Sequence, residues 1–284
     1  MRRIVLGLAM GACAMGSVKA CSKYVVNVPV ASVWTDPQEN PGPYKLPLID
    51  VDIPLHDTQV LRGECVEIIQ DRADGWCKVR LPGQPHFNRK TREWGVCDGW
   101  MRRVNLVVDD GTIKSTLTVD ALFCSVTAGA SMRERIVAYA RSFIGSPYCW
   151  GGRSIYNSAV SDVLTGVDCS GLVSLVFGAC GVTVPRNSHP QYVKAVPVEP
   201  KDIKPGDLLF FKREKHKFER VNHVMVYVGD DTFVEATEDC KAVRLIASQK
   251  RLGCSLASLK NGDRVGGQGS AAGLIEVHVG SLLS

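Results

Sequence analysis

A change in hydrophobic periodicity near residue 129 constrains the fold of this chain more than any other feature. Before it, residues 22–107 contain short stretches of β-branched residues separated by Gly and Asp turns. After it, residues 132–144 and 169–180 place apolar side chains at helical spacing, and strand-like segments follow. Alternation predicts strands, whereas a period of about 3.6 residues predicts helices. The sequence therefore predicts an α+β domain preceded by a small all-β domain.

The first half is predicted to be a small β-barrel, because it contains many short strands joined by tight turns. Residues 25–33 are apolar and β-branched, and residues 59–69 alternate between apolar and polar side chains. The chain then turns at 71–75 and returns over 76–81, and residues 94–101 carry two Trp. Residues 108–128 show no clear period, so we predict a linker there and a second domain over 129–284.

The second half is predicted to place its helices first and its strands afterwards. Gly145 ends the first helical pattern, and Gly181 ends the second. Strands are expected over 207–211, 223–228, 232–236 and 274–279. Since short turns join the middle strands, an antiparallel sheet is expected.

The N-terminus has the pattern of an export signal. Arg2 and Arg3 precede an apolar stretch over 4–16, and small residues lead to Ala20. This pattern predicts a signal peptide over 1–20 and a protein exported to the periplasm or cell envelope. Cleavage after Ala20 is the leading expectation. Residues 18–21 also loosely resemble a bacterial lipobox, which offers a lipid anchor at Cys21 as an alternative.

Charge and cysteine content exclude several classes of protein. The formal net charge is +5, and it falls to +2 without Arg2, Arg3 and Lys19. A nearly neutral mature chain gives no electrostatic reason to bind nucleic acid. No apolar run after the N-terminus is long enough to span a bilayer. The 11 Cys form no CxxC pair and no zinc-type spacing, so most are expected to be small buried side chains and no metal site is predicted.

Cys169 is the candidate nucleophile, because it begins the second predicted helix. Asp168 and Ser170 flank it, and both residue types favour helix N-termini. The positive end of a helix dipole favours the thiolate, which is the reactive form of cysteine. The alternative interpretation is an inert buried thiol.

A thiol nucleophile needs a base, and the base needs a partner that orients it. His223 begins one predicted strand, and Glu235 lies in the next. If residues 229–231 form a three-residue loop, Val228 faces Thr232, and His223 and Glu235 become diagonal neighbours on one face. A two-residue loop would place them on opposite faces.

Several short motifs, taken in order, resemble the NlpC-type cysteine peptidases, which have a papain-like fold and cut bacterial cell-wall peptides. The matching strings lie at 145–152, 168–172, 185–188 with Gln191, 204–208 and the strand that begins at His223. The first half resembles a bacterial SH3-like domain, on the strings at 33–37, 63–64, 74–76 and 99–100. The resemblance is closest to members that cleave the bond between γ-D-glutamate and a diamino acid. It implies peptidoglycan-derived peptides as partners and no metal or organic cofactor.

The resemblance also implies a role for individual residues. Cys169 matches the nucleophile, His223 the general base, and Glu235 the polar residue that orients the imidazole. The positions that match the family's substrate site are Tyr148, Asp168, Ser170 and Ser188. Glu64 matches an acidic residue of the SH3-like domain that reaches the free N-terminal amine of the peptide. Cleavage would then be restricted to peptides already freed from the sugar chain.

The chain departs from the family pattern at three places. The family usually has His, Asn or Gln where Glu235 stands, and a carboxylate there would strengthen an ion pair between His223 and Cys169. It often has Gly where Met225 stands. The segment after Trp150 is longer than usual, so residues 155–165 are expected to cover or restrict the cleft.

Two other classes of function stay open at this point. A wall amidase or acyl transferase could use the same fold, because chemistry resides in the site rather than in the fold. A non-catalytic wall-peptide-binding protein is the other alternative, and the complete set of Cys169, His223 and Glu235 argues against it.

Overall fold

The computed structural model describes residues 24–37, 56–115, 129–154, 165–213, 221–267 and 273–283. Within them the chain forms one antiparallel sheet from its first half and a second antiparallel sheet with helices from its second half. The predicted mixture of strands and helices is confirmed, and strands dominate. The predicted signal peptide, Cys21 and most of the predicted cleft segment, 155–164, lie outside the described residues.

The first sheet has seven strands in the order β3-β2-β6-β5-β4-β1-β7. Its strands are β1 (Tyr24–Val26), β2 (Val30–Trp34), β3 (His56–Leu61), β4 (Cys65–Asp71), β5 (Trp76–Asn88), β6 (Glu93–Arg102) and β7 (Leu106–Val108). β5 and β6 form a long hairpin whose register shifts between Leu81 and Pro85. β3 and β7 end the path and do not pair with each other in the described part of the chain, so the sheet does not show the predicted closed barrel.

Two predicted strands of the first half are wrong in extent. The pattern over 25–33 is divided at residues 27–29, where Pro29 offers no N–H to a sheet. The alternation over 59–69 is divided at Gly63, which has φ +77°. The Glu64 N–H donates to the Leu61 carbonyl across this turn, 3.0 Å away. Alternation alone therefore predicts continuous strands where local turns divide them.

Where the structure describes the second half, it contains four α-helices and a second sheet in the order β12-β11-β10-β9-β14-β13, with β8 paired to β14. The helices are α1 (Met132–Ser142), α2 (Cys169–Ala179), α3 (Ser188–Lys194) and α4 (Ser248–Leu252). The strands are β8 (Val196–Pro197), β9 (Leu208–Arg213), β10 (Val221–Gly229), β11 (Thr232–Thr237), β12 (Ala242–Ala247), β13 (Arg264–Gly267) and β14 (Gly273–Ser281). The predicted first and second helices and the four predicted strands are confirmed within a few residues at each end.

Opposite faces of the second sheet pack into different cores. Val224 and Val226 on β10 face α1 and α2, where Ile136 and Leu172 belong to the same buried cluster. Met225, the next residue along, lies on the other face with Phe211 and other apolar side chains. Because side chains alternate along a strand, β10 contributes to both cores.

Two general features of the described residues complete the fold. No helix in these segments is both long enough and apolar enough to cross a membrane. Cys65 takes part in a disulfide. The cysteines with free thiols are Cys77, Cys97, Cys149, Cys169, Cys180, Cys240 and Cys254, and four of these seven are buried.

Candidate active site

Cys169 is the first residue of α2, and its position is fixed by the cap of that helix. The Asp168 carboxylate accepts a hydrogen bond from the Gly171 N–H at 2.6 Å. The Asp168 N–H donates to the Gly152 carbonyl at 3.1 Å. Gly171 is required here, because a Cβ at this position would overlap the Gly152 carbonyl oxygen. The glycines of two separate motifs therefore bring the start of α2 against the loop at 150–152.

The sulfur of Cys169 lies beside the strand that carries His223. It accepts hydrogen bonds from the backbone N–H groups of Val224 and Ser170. Burial raises the pKa of the Cys169 thiol to about 12, and the charge of Asp168 raises it further, while the two N–H groups and Arg186 act in the opposite direction. Burial therefore acts against the effect expected from the helix terminus, and in this site the thiol has to lose its proton to a base before it reacts.

The hairpin between β10 and β11 brings His223 and Glu235 onto one face, as expected, but its loop differs from the expected one. Gly229 pairs with Thr232, so the loop has two residues, both with positive φ, rather than three. Val228 forms a bulge that adds one residue to β10. The bulge restores the register predicted for a three-residue loop, in which Val226 pairs with Val234.

The imidazole of His223 is hydrogen-bonded to Glu235 through Nε2, with 2.7 Å between Nε2 and Oε2. Burial raises the pKa of Glu235, but the hydrogen bond and charge of His223, the charge of Arg251 and the hydrogen bond from Arg244 outweigh it and lower the pKa to about 2. An ionised carboxylate only accepts hydrogen bonds, so Nε2 carries the proton. In the neutral ring, Nδ1 then has the free lone pair and is the basic atom.

Two arginines also donate to the Glu235 carboxylate. Arg244 on β12 donates to Oε1 from Nε at 2.9 Å and from Nη2 at 2.6 Å. Arg251 on α4 donates from Nε to Oε2 at 3.3 Å. Sequence reasoning missed both. Arg244 pairs directly with Glu235 across β11 and β12, so a prediction of β12 and its register would have found it.

Asp168 and Ser170, two of the predicted substrate-site residues, are joined by the buried Arg186. Its guanidinium donates to both carboxylate oxygens of Asp168, at 3.0 and 2.8 Å, and to Ser170 Oγ at 3.1 Å. Burial lowers the pKa of Arg186, but Asp168 outweighs this effect and raises it, so the group stays charged. Its Nε also donates to Thr58 Oγ1 of the first half, at 2.7 Å. Arg186 therefore links the cap of the nucleophile's helix to strand β3.

Glu64 is not a solvent-facing side chain of the first sheet. Both of its carboxylate oxygens accept hydrogen bonds from the guanidinium of Arg153, each at 2.7 Å. Arg153 also donates from Nε to Ser174 of α2 at 2.9 Å, and its backbone N–H donates to Gln59 Oε1 at 2.8 Å. Sequence reasoning missed Arg153, whose only signal was its place directly after two glycines. The ion pair fixes the first half against α2.

His56 adds another contact between the two halves. It is fully buried, and its Nδ1 lies 2.7 Å from the Trp150 carbonyl. A carbonyl only accepts, so Nδ1 carries the proton, while Nε2 is buried without a hydrogen-bond partner among the described residues. Burial lowers the pKa of His56 to about 4. The Trp34 ring packs on it with 5.0 Å between centroids.

Asp57, the next residue on β3, is a half-buried carboxylate at the same boundary. Burial raises its pKa, whereas the charges of Arg186 and His86 lower it. Asp168 also acts electrostatically on Asp57, which places the two carboxylates in one region. Its side chain makes no hydrogen bond or ion pair within the described segments. No sequence motif pointed to it.

The remaining predicted positions surround this centre. Tyr148 is half-buried against the core of α1 and α2, and its backbone pairs with Val167, two residues before Cys169. Ser188 is buried at the first turn of α3. Met225 is buried in the core on the other face of β10.

Part of the chain is similar in sequence to known proteins. Residues 145–253 match the NlpC/P60 family. A gamma-D-glutamyl-L-lysine dipeptidyl-peptidase of Bacillus cereus (strain ATCC 10987 / NRS 248) is 32% identical over 113 residues, which are 40% of this chain and 31% of that protein. A gamma-DL-glutamyl hydrolase of Bacillus subtilis (strain 168) is 34% identical over 105 residues, which are 37% of this chain and 24% of that protein. The match thus spans about a third or less of these relatives.

A likeness in structure extends over more of the chain. The crystal structure of an NlpC/P60 family protein from Bacillus cereus ATCC 10987 has a TM-score of 0.52 and 19% sequence identity, and it covers 80% of this chain and 94% of that chain. At this identity the likeness is one of fold alone. The sequence match lies in the second half of the molecule, where residues 145–253 are similar to the NlpC/P60 family.

Proposed function

We propose that this protein is an exported cysteine peptidase that hydrolyses peptidoglycan stem peptides at the bond between γ-D-glutamate and diaminopimelate. One observation carries the proposal most: an ionised, buried Glu235 orients His223 through Nε2, while the sulfur of Cys169 accepts the N–H of the residue after His223. Relatives named dipeptidyl-peptidase and glutamyl hydrolase support the substrate class. The resemblance of the first half to SH3-like domains belongs to the same proposal.

The reaction would begin with proton transfer, since the thiol of Cys169 holds its proton in the free site. Nδ1 of His223 takes the proton as sulfur attacks the amide carbonyl, and Glu235 stabilises the imidazolium. The first N–H groups of a helix have no partner within it, so the Cys169 N–H can bind the developing oxyanion. The imidazolium then protonates the leaving amine, and water hydrolyses the thioester.

Preference for a free N-terminal amine is the second part of the proposal. Glu64 is the match by sequence, but Arg153 occupies both of its oxygens. Asp57 lies close to Asp168 and has no such partner in the described segments. We therefore assign the placement of the first half to Glu64 and the binding of the ammonium group to Asp57. Both oxygens of Asp168 accept from Arg186, so we assign to Asp168 the cap of α2.

Mass spectrometry of L-Ala-γ-D-Glu-diaminopimelate incubated with the protein tests the reaction. The wild type is expected to release L-Ala-γ-D-Glu, and Cys169→Ala is expected to leave the peptide intact. Equal survival of the peptide with both proteins would refute peptidase action on this substrate and favour a binding protein. Product masses distinguish hydrolysis from acyl transfer.

Acetylation of the peptide's amine tests the second part. The wild type is expected to cleave the acetylated peptide at least tenfold more slowly, and Asp57→Asn is expected to lose most of this discrimination. Unchanged discrimination in Asp57→Asn would remove the assignment of Asp57. If Glu64→Gln loses the discrimination and Asp57→Asn keeps it, the binding of the ammonium group is assigned to Glu64 instead.

A further inference from the structure

The carboxylate of Glu235 accepts hydrogen bonds from three different elements. Oε2 accepts from His223 on β10 and Arg251 on α4, and Oε1 accepts twice from Arg244 on β12. A carboxylate has about four lone-pair sites, so Glu235 is saturated. Its orientation, and with it the orientation of the imidazole, depends on both arginines.

The charges of this cluster do not balance as they would in an isolated His–carboxylate pair. In such a pair, protonation of the imidazole brings the net charge to zero, which favours the protonated ring. Here Arg244 donates two hydrogen bonds to Glu235 and Arg251 donates another, so the carboxylate does not act on His223 alone. Protonation of His223 is therefore favoured less than in an isolated pair.

Burial strengthens the effect of these charges on His223. Glu235 is fully buried, and Arg251 is 1% exposed, with its guanidinium 5.0 Å from the centre of the Phe211 ring. Phe211 also packs on His223, with 5.6 Å between the two ring centroids. Charges act more strongly in such a site than in water. The side chain of Arg244 is about one third exposed, so solvent screens it in part.

We propose that Arg244 and Arg251 are positioning residues for the His223–Glu235 pair. They fix the carboxylate and offset its charge, so that the imidazole is held in one orientation without being locked in its protonated form. Among the described residues, the charged groups that act on Glu235 are His223 on β10, Arg244 on β12 and Arg251 on α4. This inference rests on the proposed function, in which His223 must both take and return a proton.

The test uses Arg244, because its partial exposure lets it be replaced without a buried cavity. Arg244→Met removes the charge and both hydrogen bonds, whereas Arg244→Lys keeps the charge. The first readout is the pH at the midpoint of the His223 ring titration, followed by NMR without substrate. It is expected to rise by about one pH unit in Arg244→Met and by much less in Arg244→Lys. The second readout is kcat/KM against pH, whose acidic limb is expected to move by the same amount.

Glu235→Gln provides the matched control. It removes a negative charge beside the imidazole and is expected to lower the midpoint, in the direction opposite to Arg244→Met. An unchanged midpoint in Arg244→Met, or an equal rise in Arg244→Lys, would overturn the inference. If the wild type cleaves no wall peptide, the proposed function fails, but the NMR titration still decides whether Arg244 offsets the charge of Glu235.

Discussion

Acidification from pH 7 to pH 4 is expected to destabilise the folded protein through His56. This side chain is fully buried between Trp34 and the Trp150 carbonyl, and its Nε2 has no acceptor among the described residues. A proton on Nε2 would therefore bury an unpaired positive charge. The nearby charge of Arg186 opposes protonation further, whereas the hydrogen bond to Trp150 and the charge of Asp168 favour it and are outweighed.

The sign and size of the effect follow from the lowered pKa of His56. Above pH 6.5 the ring is neutral in both the folded and the unfolded chain, and the full stability is present. As the pH falls from 6.5 towards about 4, the unfolded chain binds a proton and the folded chain does not. This difference is worth about 3 kcal/mol of unfolding free energy, at about 1.4 kcal/mol for each pH unit of pKa shift. Below about pH 4 the loss stops growing.

Urea unfolding monitored by tryptophan fluorescence at several pH values measures this loss. His56→Asn is the matched control, because an Asn amide can still donate to the Trp150 carbonyl but does not titrate. The difference in unfolding free energy between the two proteins is expected to shrink by about 3 kcal/mol between pH 7 and pH 4. Parallel curves for the two proteins would refute the reasoning, since the remaining histidines are the same in both.

Two further substitutions test the contacts that build the site. Glu64→Gln leaves the buried guanidinium of Arg153 without a charged partner, so the free energy of unfolding in urea is expected to fall by about 3 kcal/mol. Adding Arg153→Met should recover part of this loss. A loss below about 0.5 kcal/mol would contradict a buried ion pair. Gly171→Ala overlaps the Gly152 carbonyl and is expected to lower the thermal midpoint by more than 10 °C, whereas Gly83→Ala, whose added Cβ meets nothing within 4 Å, should leave it unchanged; similar midpoints in both variants would show that the close approach is not required.

Sequence patterns predicted the elements of the second half well, because its helices and central strands each have one clear periodicity. They also predicted the register of His223 against Glu235. That register was right although the loop was wrong, since a two-residue turn and a bulge at Val228 together add the same number of residues as a three-residue loop. A bulge has no distinct signature in the apolar sequence of residues 224–228.

The partners of the charged residues could not be predicted from local patterns. Arg153 and Glu64 are 89 positions apart in the chain, and Arg186 reaches Thr58 across 128 positions. Such contacts depend on how the two halves dock, and periodicity carries no information about docking. The thiol of Cys169 shows the same limit, because the burial that raises its pKa comes from the tertiary fold and not from the local pattern.

The sharing of Arg153 and Arg186 between the two halves restricts how such a protein can be rebuilt. Each guanidinium belongs to the second half, yet an acceptor for each comes from β3 or the turn that follows it. A chimera that joins residues 129–284 to an unrelated β domain would enclose two cations without those acceptors. Exchange of the first half by recombination is therefore expected to succeed only when the donor brings its own equivalents of Thr58 and Glu64.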